Sequence, residues 1–516
     1  MRKRKRRIEI KENKLDKAIE FVAPRTALKR REARLRLALH SAYEGASKSK
    51  SSLKLFNPWD TDADSAMLYE RQTLVDRSRD LIRNNPIAGG AINTKCTNII
   101  GSGLQLHSKV DAELLGMTDE QADEWEKHVE REFRLWAETQ ECDIERTLNF
   151  YELQELSFRQ FLENGDHFVL TPRIRRSGSP YSLRLQMIEA DRVSNPTGKL
   201  NGKLPDSNNR LYDGIEKDQN GAPVKYHICR QHPGSRLAGK EWKEVQAFGK
   251  ETGLRNVLHI YRVLRSGQTR GIPILTPVIE SLRQLQKYTE AELMAAVISG
   301  MLTVFVKTES GNPDFSSVPS AQSTGNTSEE DDYELGNGSI IGLHPGEDVE
   351  TVNPGRPNSA FDPFIISILK QIAVGLEMPF EVLMKHFTKS YSASRGAILE
   401  AWRVFKSRRA WFAGKFCNPI YEIWMWEAAA LGRITAPGFF DDPLIRKAYL
   451  GAEWVGPSQG HIDPYKEINA AEKRVALGIS TRKRETREYS GEDFDRNKVE
   501  IRKENKFFKE INNEAD

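Results

Sequence analysis

The stretch that most limits what this chain can become runs from Gly346 to Phe416. It reads as one helix, a short exposed loop and a second, much longer helix, and it contains no catalytic constellation. The first helix is expected at about Pro363–Leu376 and the loop at Pro379–Tyr391. That loop sets Lys385, His386 and Lys389 between two helices, where a polymer can slide past them. From about Ser394 onward, Ile398, Trp402, Phe405, Phe412, Phe416, Ile420, Ile423 and Trp424 form a wide apolar face, and Pro419 is expected to kink the helix. A face of that width is normally core. In a ring-shaped oligomer, part of it becomes the subunit interface instead.

With 516 residues the chain is long enough for about two to four domains, each able to bury its own core. The longest uncharged apolar run, Leu293–Val306, falls short of the roughly 20 residues a spanning helix needs, so no membrane is expected as a partner. The opening MRKRKRRIEIKENK is basic without an apolar core behind it, which does not read as a secretory signal. Cys96, Cys142, Cys229 and Cys417 form no CxxC pair and have no His at zinc-finger spacing. Four reduced thiols in a cytoplasmic setting are expected, with no structural metal. The net charge of +4 hides an asymmetry, because the first 36 residues carry about +10 and the other 480 carry −6. The chain is a basic arm on a mildly acidic body. The arm is either a contact for nucleic acid or an acidic partner, or a solvated tail.

Residues 1–60 are loosely patterned, with some helix hinted by Leu28, Leu35, Leu37 and Leu39, and compact structure is expected from near Ser65. A helix breaks at Asn85-Pro86 and resumes with Ala88, Ala91, Ile92, Cys96, Ile99 and Ile100 on one face. Gly89 and Gly90 permit close packing, Gly101-Ser-Gly103 ends the element, and the strand LQLHS follows. Residues 119–139 form a charged helix with Trp125, Val129, Phe133 and Trp136 at helical spacing. Another helix, from Asn149 to Leu162, stops at Asn164-Gly165. The strand HFVLTPRIR then turns at Ser177-Gly178-Ser179 into YSLRLQMI, and Asn220-Gly221 marks a second hairpin between YDGIEK and VKYHIC. This half is an α+β body with an antiparallel, meandering sheet.

Thr276-Pro277 reads as N-cap and first-turn proline of a helix that carries Val278, Leu282, Leu285 and Tyr288 towards Gly300. The strand MLTVFVKT comes next, then a Ser/Thr/Gly/Asn-rich segment from Glu309 to Ser339 with the acidic run Glu329–Asp332, then strand-like SIIGLH. Residues 301–357 are therefore a small insertion between two helices that can lie antiparallel beneath it. From Asp463-Pro464 the chain is helical, charge-laced and poor in apolar residues, with Gly478 separating two pieces. Helices that polar are stabilised by assembly or by surface ion pairs.

Searches for chemistry come back empty. Gly239-Lys240 and Gly249-Lys250 are followed by Glu and do not make a phosphate loop. No HExxH, GxSxG or EF-hand pattern occurs, and the ten histidines are dispersed. No catalytic residue, cofactor or metal is expected, and the acidic run is read as a solvated loop. A terminase or nuclease would need a nucleotide loop or a cluster of metal-binding carboxylates. A generic capsid or tail protein would share the missing chemistry but not the basic loop between two helices.

Several stretches, in one order, are similar to the lambda-type portal proteins of tailed bacteriophages. They are RSRDLIRNNPIAGGAINTKCTNIIGSGLQL, the helix–insertion–helix block, the loop with SYSASRGAILEAW, and AEWVGPSQGHIDPYKEINAAEKRVALGISTRKRETREYSGEDFD. Together they span most of the chain; nothing carries over to the basic arm. The resemblance implies an α+β portal fold of wing, stem, clip and crown that closes into a ring, usually a dodecamer. On it, 1–60 is the arm, 61–274 the wing, 275–300 and 358–378 the stem helices and 301–357 the clip. The tunnel loop is 379–391, the long kinked wing helix and return strand 392–462, and the crown 463–516. It further implies a place in the virion at the capsid vertex, after assembly in the host cytoplasm. The implied partners are the terminase large subunit, the major capsid and scaffold proteins, head–tail connectors and double-stranded DNA. Lys385, His386 and Lys389 of the tunnel loop are then the DNA-channel residues.

Overall fold

Asn85 does what its position before a proline calls for. Its side chain accepts hydrogen bonds from the Ile87 and Ala88 amides at 3.0 and 3.1 Å, and Pro86 opens the next helix. The computed structural model describes residues 19, 23–39, 44–46, 51–53, 55–205, 207–236, 240–300, 304–308, 347–351, 361–387, 390–460, 463–491 and 494–514. They fall into two units, Met1–Asp62 and Ala63–Asp516. The first contains helix α1 (Pro24–Leu39), where the leucine spacing hinted at one.

The second unit begins with α2 (Ala63–Asn84) and α3 (Pro86–Ile99), on either side of the Asn85 break. The predicted face of α3 is buried from Ala88 to Ile100. Gly89 packs as expected, since a Cβ there would lie 2.8 Å from the Ile82 carbonyl oxygen; Gly90 faces open space. Strand β1 (Gln105–Ser108), the short helix α4 (Ala112–Leu115), α5 (Asp119–Ala137) and α6 (Phe150–Asn164) follow. Capping boxes start α5 and α6, through Thr118 with Gln121 and Asn149 with Glu152. Gly165 ends α6 in the left-handed conformation at φ 85°, against the backbone of Ile272.

Strands β2 (Asp166–Leu170) and β3 (Gln186–Ile188) form the first predicted hairpin. β2 is shorter than HFVLTPRIR, because Pro172 has no amide to give the ladder; pairing resumes at the Arg173–Leu183 bridge. The meander β4 (Gly202–Lys203), β5 (Arg210–Tyr212), β6 (Ile215–Lys217), β7 (Pro223–Cys229) and β8 (Trp242–Gln246) is antiparallel throughout, with Gly221 at φ 87° in the second predicted turn. β9 (Val257–Tyr261) completes a three-stranded sheet in the order β3-β2-β9. Phe168, Ile188, Val193, Ile215, Tyr226, Ile228, Ala247 and Val257 pack as one small core linking these two sheets. A buried charge network holds the same corner. Asp166 accepts from Arg270 Nε at 2.5 Å and Arg71 Nη2 at 3.2 Å, with His259 Nε2 also at 3.2 Å. Burial pushes this carboxyl up, but Arg270 and Arg71 outweigh it and hold it well below the usual range.

Helix α7 (Ile279–Gly300) is reached through a 3₁₀ turn at Thr276–Val278, which corrects the expected cap. The Thr276 hydroxyl donates to the Pro273 carbonyl at 2.8 Å instead of capping an amide. β10 (Val304–Thr308) pairs antiparallel with β11 (Glu347–Thr351). The expected strand SIIGLH and most of the 301–357 insertion lie outside the described residues. Helix α8 (Phe361–Gly375) runs antiparallel to α7, as foreseen: Tyr288 meets Phe361 and Phe364, and Gly375 abuts Val278.

After a short helix α9 (Phe380–Met384), the long helix is α10 (Tyr391–Phe412) and α11 (Asn418–Ala430), joined by a π-helical turn at Ala413–Cys417. The irregularity sits just before Pro419, where one ladder amide is missing and the Asn418 amide reaches back to the Ala413 carbonyl. From Trp402 to Trp424 its apolar face is core, and Ile398 is half-buried. Phe412 and Phe416 stack at 5.1 Å, while Phe133 meets Trp424 edge-on at 5.0 Å. Helix α12 (Pro443–Tyr449) leads to β12 (Ala452–Val455), which pairs with β1 and so joins the two ends of this unit's core. Helices α13 (Pro464–Ala476), α14 (Arg482–Ser490) and α15 (Phe494–Glu514) close the described chain. α13 buries none of its residues, as its polarity foretold, and Gly478 turns at φ 69°.

Candidate functional site

The segment from Pro379 to Tyr391 is only in part the exposed loop expected of it. Pro379 starts α9, whose Phe380, Val382 and Leu383 pack against the main core, with Leu383 buried. The Leu383 amide donates to the Pro379 carbonyl at 3.0 Å. Of the described residues in this segment, Met384–Phe387 and Ser390 are the exposed ones. The apolar spacing of Phe380 and Leu383 behind a proline was the signal for this anchor.

Two residues in the left-handed region bracket α9. Glu377 at φ 53° ends α8, where the Met378 amide returns to the Ala373 carbonyl at 3.0 Å. Lys385 at φ 54° ends α9, and the His386 amide donates to the Glu381 carbonyl at 3.0 Å. Lys385 and His386 are exposed at this tip, beside the partly exposed Met384 and Phe387. Lys389 lies outside the described residues, so the structure brings two of the three predicted site residues together.

Behind the tip lies a charge cluster that the sequence did not reveal. The Glu377 carboxylate pairs with Arg408 of α10 and, at 3.4 Å, with Arg262 just after β9. Partial burial pushes Glu377 up, yet the Arg408 hydrogen bond and the charges of Arg408 and Arg262 win, and its pKa is lowered. Lys95 of α3 is 1% exposed and within electrostatic reach of the same carboxylate; burial brings its pKa down to about 8. Nothing in a sequence marks a lysine as buried or a glutamate as bridging two distant arginines.

Among the described residues, one group of ligand-type atoms converges, with Glu189, Asp191 and His232 offering atoms within 4.8 Å of one another. Arg79 already bonds both carboxylates, at 3.2 Å to Glu189 and closer to Asp191, so this is an ion-pair cluster. No helix among the described residues is long and apolar enough to cross a membrane.

The described residues thus form an α+β body that presents an anchored basic turn between helices. The family described as "Phage portal protein, lambda family" matches residues 49–409. The chain belongs to that family of phage portal proteins. "Portal protein B" of Escherichia phage lambda is 26% identical over 461 residues, covering 86% of this chain and 85% of the relative. "Portal protein" of Escherichia phage N15 is 25% identical over 453 residues, covering 84% of each. A chain in the "Neck of empty GTA particle" is 12% identical with a TM-score of 0.43, covering 81% of this chain and 92% of that one.

Proposed function

We propose that the chain closes into a ring, a dodecamer, that forms the conduit for double-stranded DNA at one vertex of a phage capsid. The terminase large subunit drives the genome through it, capsid and scaffold proteins hold its rim, and head–tail connectors later replace the motor. In this reading α7 and α8 are the stem, 301–357 the clip, the body before them the wing and α13–α15 the crown. The ring itself hydrolyses no nucleotide and cuts no DNA.

The observation that carries the reading is the exposed Lys385–His386 pair at the end of α9, on a turn fixed between two helices of a lambda-family portal chain. Repeated around a ring, one lysine becomes a band of positive charge in an otherwise acidic body. Such a band touches phosphates rather than bases, so DNA passage is independent of sequence and weakened by salt. Lys385→Ala combined with Lys389→Ala is expected to leave rings intact in negative-stain images while genome packaging or retention falls. A double variant that packages and retains full-length DNA like the parent would remove the loop from the DNA path. A chain that stays monomeric over a wide range of concentration and salt would end the ring proposal.

A further inference from the structure

The turn that carries Lys385 and His386 is tied to two separate parts of the body through one carboxylate. Glu377 sits in the last bend before α9, in a backbone conformation that non-glycine residues rarely adopt without compensation. Its side chain bonds Arg408, in the middle of the long helix, and lies 3.4 Å from Arg262 in the segment after β9. Lys95, buried on the helix that begins at Pro86 and packs against α9, lies within electrostatic reach of this carboxylate. Three chain segments thus meet through ion pairs at the bend that leads into α9. Phe380, Val382 and Leu383 hold α9 by apolar, non-directional packing, whereas the charged pairs of Glu377 are directional and fix orientation.

We propose that Glu377 is the positioning residue of the loop. Gripped by Arg408 and Arg262, it sets the angle at which α9 and its basic tip leave the end of α8. The long helix and the sheet-bearing body are thereby coupled to the tip, so a shift of either moves Lys385 and His386. In a ring this makes the position of the basic band depend on the state of the surrounding body. The inference rests on the reading of the tip as a DNA contact, but the coupling itself can be measured without DNA.

The test uses the full-length chain and three variants: Glu377→Gln, Arg408→Gln, and the double variant that combines them. Each is checked first for ring assembly, then for amide hydrogen exchange in the peptide spanning 376–391. Each single variant is expected to raise exchange there about tenfold, the loss of one charge-assisted hydrogen bond, with the rest of the protein unchanged. The double variant is expected to raise exchange no further than Glu377→Gln alone, because both changes remove the same bond, whereas two independent packing effects would add. Genome retention should fall with each of the three variants. Parental exchange in Glu377→Gln, or a double variant in which the two single effects add, overturns the proposal. Raised exchange with unchanged retention upholds the positioning role and instead overturns the tip as a DNA contact.

Discussion

Arg409 and Ile99 stand 310 residues apart, yet the Arg409 Nε donates to the Ile99 carbonyl at 2.9 Å. The same guanidinium donates to the Asn98 carbonyl at 3.0 Å and the Pro457 carbonyl at 2.9 Å, and it covers the Trp402 ring. One side chain therefore caps the end of α3 and joins it to the long helix and to the segment after β12. Burial lowers its pKa to about 10, so it remains charged at neutral pH.

Arg409→Ala is expected to destabilise the chain by about 2–5 kcal/mol, since three carbonyls lose a charged donor at once. Arg409→Lys should recover little of this, because an ammonium lacks the planar fork that spans three acceptors. Chemical denaturation of the two variants beside the parent measures both effects. A loss below about 0.5 kcal/mol for the alanine variant, the range of ordinary surface changes, would contradict the role.

Gly165 and Gly271 lie where two backbone segments leave no room for a side chain. A Cβ on Gly271 would lie 1.9 Å from the Gly165 carbonyl oxygen, and one on Gly165 would lie 2.2 Å from the Ile272 carbonyl carbon. Neither obstacle is a flexible side chain. Gly271→Ala is expected to cost more than about 3 kcal/mol and to reduce soluble yield sharply, whereas Gly90→Ala, facing open space within its helix, should be neutral or slightly stabilising. Similar thermal midpoints for the two variants would contradict the packing argument.

His167 and His259 are both buried beside Asp166. Burial lowers them from 6.5 to about 3 and about 4, against the pull of the carboxylate. Above pH 6.5 both are neutral in the folded and unfolded chain, and their contribution is constant. As pH falls from 6.5 towards 4, the unfolded chain binds protons that the folded chain refuses, so stability drops. Asp166 adds its own loss only at lower pH, as its depressed folded pKa is approached. Unfolding free energies between pH 7 and 4 should show this decline, and His167→Gln should reduce its slope by about 1.4 kcal/mol per pH unit. An unchanged slope would place the proton uptake elsewhere.

Much of the local structure was legible in order along the chain. The Asn85-Pro86 break, the buried face of α3, both hairpins, the antiparallel α7–α8 pair and the core face of the long helix each follow from a short-range rule. Capping, proline geometry and apolar periodicity act over a few residues, so a sequence displays them directly. Family membership was equally legible, because it rests on the order of such local stretches. What only the tertiary structure decided involves residues distant in sequence. The pairing of β1 with β12, Arg409 on the carbonyls of Asn98 and Ile99, and Glu377 between Arg262 and Arg408 depend on where helices pack. The same holds for the tip. Lys385 and His386 were visible as basic residues between helices, but the burial of Leu383 that holds them in place depends on a core assembled from the whole second unit. A side chain's charge is written in its chemistry; its partner and its solvent exposure are set by packing, which no local rule encodes.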